Sequence, residues 1–233
     1  MIGYVNKDTI IAMCDAVREK MGTTDVMEVT ALAANINLFK GGADSVNYDT
    51  FINRTIVDVN NSSVPYIGEK AFMECSELMS VCLYNVETCR AQCFSKCPKL
   101  SFIDIPKLTL IEPQVFSYDT ALTYVILPAS GIDIQTQAFS YCSSLHTIDI
   151  VDPIRIWGEA FLGCTSLTAL VIRYSGAVTN IPLLQSYSAF SNTPIASGTG
   201  YIYVPRNLIS TYQAADQWSQ YANQFRAIED YNF

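Results

Sequence analysis

The stretch "AFLGCTSLTALVI", residues 160–172, sets Phe161, Cys164 and Leu167 three residues apart and then alternates aliphatic positions. The same arrangement recurs upstream. Phe72, Phe94, Phe116, Phe139 and Phe161 are separated by 22, 22, 23 and 22 residues. Three residues after each comes Cys75, Cys97, Asp119, Cys142 or Cys164, and three further on Leu78, Leu100, Leu122, Leu145 or Leu167. Self-similarity at a fixed period of this length is the signature of a solenoid whose coils each form one supersecondary unit.

After each Leu the third and fifth residues are aliphatic: Val81/Leu83, Ile103/Ile105, Val125/Leu127, Ile148/Ile150 and Leu170/Ile172. A period of two predicts a strand with one buried face. Stacked coils then pair these strands into a parallel sheet with neighbours about 4.8 Å apart. A second inward position lies five residues before each Phe, at Ile67, Cys89, Ile111, Ile134 and Ile156. Every coil thus supplies an Ile, a Phe, a small residue, a Leu and two strand aliphatics to one continuous core. The expected fold class is a β-rich solenoid of coils about 22 residues long, with small helical caps.

The pattern "IGEKAFMECSELMSVCL" (67–83) resembles the BspA-type leucine-rich repeat of many bacterial and some protist surface proteins, over residues 65–205. Phe190, 29 residues after Phe161, marks a degraded sixth copy in which "SNTPIASGTG" (191–200) replaces the Cys-Leu segment. The resemblance implies an interaction or adhesion module that attaches to host, microbial or extracellular ligands. The tail "YVPRNLISTYQAADQWSQYANQF" (203–225) is similar to the ending of many such proteins. "DAVREKMGTTDVMEVTALAANI" (15–36) resembles a short helical module at the start of phage- or prophage-related proteins of gut Firmicutes, which implies a phage-particle setting.

A solenoid must protect its end strands from pairing with other chains. "RTIVDV" (54–59) reads as a first strand and "YIYVP" (201–205) as a last one. Beyond it, Asn207 is a candidate N-cap, and Leu208, Tyr212, Trp218, Tyr221 and Phe225 fall at near-helical spacing. The expected organisation is a helical module over 1–40, a linker over 41–53, the solenoid over 54–205 and a helical cap over 206–233. Asp8 is placed to cap the first helix, with Gly22 at its end.

Length and composition fit one extended domain. Of 233 residues, 50% are hydrophobic and 15% charged, against about a quarter charged in an average soluble domain. No apolar run approaches the roughly 20 residues of a membrane-spanning helix, so no membrane insertion is expected. Net charge is −8, and 14 Lys and Arg are scattered through the chain. That balance argues against nucleic acid, which needs clustered basic side chains. The first 22 residues lack the basic start of a signal peptide, and their short apolar stretch runs into Asp15, Arg18, Glu19 and Lys20. Export through the general secretory route is therefore not expected. Synthesis in the cytoplasm is, with a phage-particle or cell-surface destination open.

Eight cysteines raise the question of metal or disulfide chemistry. Cys89, Cys93 and Cys97 are spaced four apart, yet Cys89 takes an Ile position, Cys93 the place of Ala71, Ala138 and Ala160, and Cys97 a ladder position. Zinc sites use paired Cys or Cys/His spacings, and the single His146 lies far along the chain in a variable turn position. Buried, reduced, structural thiols are expected, with no metal, no cofactor and no catalytic triad.

The outward sheet positions are Ser80/Cys82, Phe102/Asp104, Tyr124/Ile126, Thr147/Asp149 and Ala169/Val171. A contiguous exposed apolar strip marks a contact surface. Phe102, Asp104, Tyr124, Ile126, Asp149 and Val171 are therefore the candidate binding residues, for a protein or glycan partner. The alternative is that the N-terminal helices fold back over this face. A carbohydrate-active hydrolase using Asp104 and Asp149 is a second reading, since strands two coils apart set them about 10 Å apart, near the upper limit for inverting glycosidases. Nothing in the sequence around them would raise one pKa above the other. A purely structural assembly role is the third.

Overall fold

A computed structural model describes residues 45–46, 58–60, 65–174 and 181–231. The expected N-terminal helical module and most of the linker lie outside the described residues. Along the chain come β1 (Ser45–Val46), β2 (Asp58–Asn60), β3 (Tyr66–Ile67), β4 (Ser80–Cys82) and β5 (Thr88–Cys89). β6 (Phe102–Asp104), β7 (Leu110–Ile111), β8 (Tyr124–Leu127), β9 (Asp133–Ile134) and β10 (Thr147–Val151) follow. The last strands are β11 (Arg155–Ile156), β12 (Ala169–Arg173), β13 (Leu183–Leu184), β14 (Tyr201–Val204) and β15 (Phe225–Ala227).

Each coil carries two strands, so the solenoid has two sheet-bearing sides. The two-residue strands form a seven-stranded sheet in the order β1-β3-β5-β7-β9-β11-β13. Their inward members, Ile67, Cys89, Ile111, Ile134 and Ile156, are the second inward position of the repeat, and all are buried. The strands after the repeat Leu were expected to make one sheet. They make two, β2-β4-β6 and β8-β10-β12-β14-β15, with every pairing parallel. The interruption falls at the coil in which Asp119 replaces the ladder Cys.

The third side is a turn that brackets the Phe. Two residues before each Phe, Lys70, Gln92, Gln114, Gln137 and Glu159 have φ between 54° and 61°. Two residues after it, Glu74, Lys96, Tyr118 and Tyr141 have φ between 60° and 65°, and Gly163 has 73°. Left-handed backbone costs a non-glycine residue about 1–2 kcal/mol, so the repeat must offset it. Hydrogen bonds between coils do so: Phe94 N donates to Val115 O (3.1 Å), Phe116 N to Ala138 O (2.8 Å) and Tyr118 N to Ser140 O (2.8 Å). Side chains stack along the same rows. Gln92 Nε2 donates to Gln114 Oε1 (2.7 Å), Gln114 Nε2 to Gln137 Oε1 (2.5 Å) and Gln137 Nε2 to Glu159 Oε2 (2.6 Å). The Glu159 carboxylate, an acceptor only, fixes the direction of this amide ladder. At Gly163 an added Cβ would lie 2.7 Å from the Tyr141 ring, so glycine makes room for an aromatic of the previous coil.

Inside, the five repeat phenylalanines and Phe190 form one stack with ring centroids 5.2–5.7 Å apart. All six are fully buried. Burying a Phe contributes about 1.5–3 kcal/mol and an offset-stacked pair about 0.5–1.5 kcal/mol more. The extra residue of the 23-residue spacing is absorbed between β8 and β9, where Gly131 (φ 83°) turns the chain and its N–H reaches Asp152 O at 2.9 Å. In the sixth copy Thr193 takes the ladder position and caps helix α1 (Pro194–Ser197), whose Ile195 is buried.

The C-terminal cap differs from the continuous helix expected. Asn207 is not its N-cap; a 3-10 turn at Arg206–Leu208 leads into α2 (Ile209–Ala214), and a second 3-10 stretch covers Ser219–Gln224. Phe225 then opens β15, which pairs parallel with β14. β14 is thus not the last strand, and the sheet edge is covered by the chain's own tail. Trp218 and Tyr221 close the Phe stack against Phe190, and Trp218 Nε1 donates to Pro182 O at 2.8 Å.

Candidate interaction surface

The outward residues of the five-stranded sheet stand in two register rows. One runs Tyr124, Thr147, Ala169, Tyr201 and the other Ile126, Asp149, Val171, Tyr203, Arg226. On β8 the outward side chains are open: Tyr124 is 40% exposed and Ile126 38%. Phe102, on β6 across the break between the sheets, is half-buried. These three sit where the two sheets part.

Val171 was expected on the open face and is fully buried. The cause is the tail. After β15 the chain turns through Ile228–Asp230 against β12. Tyr231 then packs on Tyr203 with centroids 4.5 Å apart and its hydroxyl lies 3.3 Å from Thr147 Oγ1. The tail covers the middle of the face and leaves the β8 margin open. Whether N-terminal helices cover that margin lies outside the described residues.

Asp149 is committed to structure. Arg173 Nε donates to its Oδ1 and Nη2 to its Oδ2, both at 2.8 Å. Tyr124 OH donates to Asp149 Oδ2 at 3.5 Å, a long contact. Burial, with the Asp149 charge behind it, pushes the Tyr124 phenol up to about 12, so it stays a neutral donor. The Asp149 hydrogen bond raises Arg173 further above its ordinary value.

Asp104 is different. It is buried on β6, its Oδ2 has no partner, and burial raises its pKa. The expectation that nothing nearby would raise one of the two carboxyls is therefore corrected at Asp104, which burial raises. They do not face one another as an acid–base pair, because they lie on different sheets with β8 between them. Arg173 donates to both oxygens of Asp149, so that carboxylate is engaged in an ion pair within the sheet face.

Arg173, Tyr203 and Tyr231 were not singled out from the sequence. The first two were legible, since Arg173 continues the outward alternation of "ALVIR" and Tyr203 that of "YIYV". Tyr231 was not, because its contact depends on a turn with no periodic signature. His146 is exposed, with Nδ1 2.6 Å from Ser144 O. The seven described cysteines are buried thiols, none of them in a disulfide, and no cluster of metal-binding side chains occurs among the described residues. Nor is any described helix long and apolar enough to cross a membrane.

The chain is similar to the pneumococcal vaccine antigen PcpA, with a TM-score of 0.54 at 16% identity. The match covers 80% of this chain and 40% of that one, so the chain spans well under half of it. It is also similar to a leucine-rich repeat protein of T. pallidum (24% identity, TM-score 0.35, covering 57% of this chain and 74% of that one). A third similar structure is a leucine-rich repeat protein of Bacteroides ovatus (22%, 0.37, covering 70% and 51%). No curated protein matches the chain. The family model described as the BspA type leucine-rich repeat region (6 copies) matches residues 44–168 and 87–212. With its stacked Phe, thiol ladder and parallel sheets, the chain belongs to the BspA-type leucine-rich repeat family.

Proposed function

We propose that this protein is a non-enzymatic interaction module that holds a protein or glycan partner at the β8 margin of its outer face. The observation that carries the reading is the adjacent exposure of Tyr124 and Ile126 on a strand whose inward Val125 and Leu127 are buried. An aromatic with a free flank and a polar hydroxyl, beside an aliphatic, is the composition enriched at binding hot spots. Asp149 and Arg173 act as positioning residues beneath the tyrosine. Asp104 lies at the same seam, on the β6 side.

Family membership supports binding or adhesion as the class of activity. The phage setting is supported by the sequence of residues 15–36 alone, which lie before the family match at residue 44. The test is a paired array of glycans and bacterial surface proteins, probed with the full chain and with Tyr124→Ala. Binding that the substitution weakens at least tenfold supports the reading. Turnover of an array glycan that disappears in Asp104→Asn would establish the hydrolase instead.

A further inference from the structure

The ladder cysteines do more than fill space. Cys97 Sγ donates to Phe72 O of the preceding coil at 3.2 Å, Cys142 Sγ to Phe116 O at 3.0 Å and Cys164 Sγ to Phe139 O at 3.0 Å. The same sulfur faces the ladder N–H of the coil before: Cys75 N–H at Cys97 and Asp119 N–H at Cys142. At Cys97 and Cys142 one thiol therefore serves as acceptor and donor at once.

Asp119 breaks the series in chemistry but not in place. It is fully buried, and its Oδ1 accepts the ladder N–H of the preceding coil, Cys97 N, at 2.8 Å. Its Oδ2 has no partner. Phe94 O, the carbonyl a ladder thiol would reach, receives no thiol, and Cys97 N is turned to the carboxyl instead. A carboxylate has only acceptors, whereas a carboxylic acid has one O–H donor. The groups facing Asp119 are the thiols of Cys93 and Cys97 from the preceding coil and Cys142 from the next. Among the described residues no Lys, Arg or His forms an ion pair or hydrogen bond with it. An isolated ionised carboxylate in such a place is strongly disfavoured.

We infer that Asp119 is a neutral carboxylic acid in the folded solenoid, its Oδ2–H donating to Phe94 O in place of the ladder thiol, so that the solenoid loses stability as pH rises. The two roles of one sulfur are split between two oxygens. Desolvation by burial, which raises the Asp119 pKa well above the ordinary value, acts in the same direction as this geometry.

The sign follows from proton binding. In the unfolded chain the group titrates near about 3.9, and in the folded chain it keeps its proton to higher pH. Between those values the folded state holds one proton more, so the unfolding equilibrium constant rises tenfold per pH unit. Asp119→Asn removes the titration yet keeps an acceptor oxygen and an N–H donor in the same shape. Chemical denaturation of both proteins from pH 5 to 8 should show wild type losing stability relative to the variant as pH rises, by up to tenfold in that constant per unit while the folded group keeps its proton. Infrared difference spectra at pH 7 should show a protonated carboxyl C=O band in wild type that Asp119→Asn lacks. Should the Asn variant fail to fold, Asp119→Cys, which restores the repeat residue, supplies the same reference. A ratio that stays flat over that range, or a carboxylate band in place of the protonated one, would overturn the inference.

Discussion

Phe116 sits between Phe94 and Phe139, 5.6 and 5.2 Å from their ring centroids, with no exposed surface. Phe116→Ala should cost about 3–5 kcal/mol, because a rigid stack cannot close over the cavity; urea unfolding measures it, and a midpoint equal to wild type would remove the register. At this scale the sequence was readable wherever a residue recurs at the repeat spacing, since a buried position accepts few side chains. Phe, Cys and Leu were found in this way. Val171 was assigned to the outward face correctly but to solvent wrongly, because alternation shows which way a side chain points and not what lies above it. The hydrogen bonds of the ladder thiols were also hidden. A Cys that packs and a Cys that donates to a carbonyl look the same in sequence.

The strands after each Leu are long enough for their alternation to show, and β8, with its exposed–buried pattern, is the clearest. The two-residue strands of the other sheet are too short to alternate, so only their inward residue was legible. The C-terminal elements mislead for a related reason: Leu208, Tyr212, Trp218, Tyr221 and Phe225 all pack on the core, but from a 3-10 turn, a helix, a second 3-10 stretch with its cap and a strand in succession. Ending the chain after Gln224 would remove β15 and the tail that follows, open the edge of β14 and uncover Val171. Exposed edges recruit other chains, so light scattering should show association that the full chain lacks; a truncated protein that stays monomeric and equally stable would show that β15 is dispensable. The ladder makes its own prediction. With chelator and reductant together the melting temperature should remain within about 2 °C of wild type, since a structural zinc would contribute on the order of 10 kcal/mol. A large fall in chelator alone would assign the thiols to a metal.

Across the whole molecule, stability is a sum of coil and nearest-neighbour terms, and the outer face is rigid because the core behind it is continuous from Ile67 to Phe225. The tail occupies one part of that face and leaves Tyr124 and Ile126 open at the seam between the sheets. The solenoid itself was legible throughout from its period. The contact surface was legible only in part, because covering by the tail is a property of the assembled chain. The most direct test titrates a partner recovered from the arrays against three proteins: wild type, Tyr124→Ala with Ile126→Ala, and Tyr187→Ala. Tyr187 is exposed in the 3-10 turn leading to Phe190 and serves as the remote control. Each substitution should change stability by about 0.5 kcal/mol or less, as surface positions do. Kd should rise at least tenfold for the β8 pair and not at all for Tyr187→Ala; an unchanged Kd for the β8 pair with the fold intact would place recognition elsewhere.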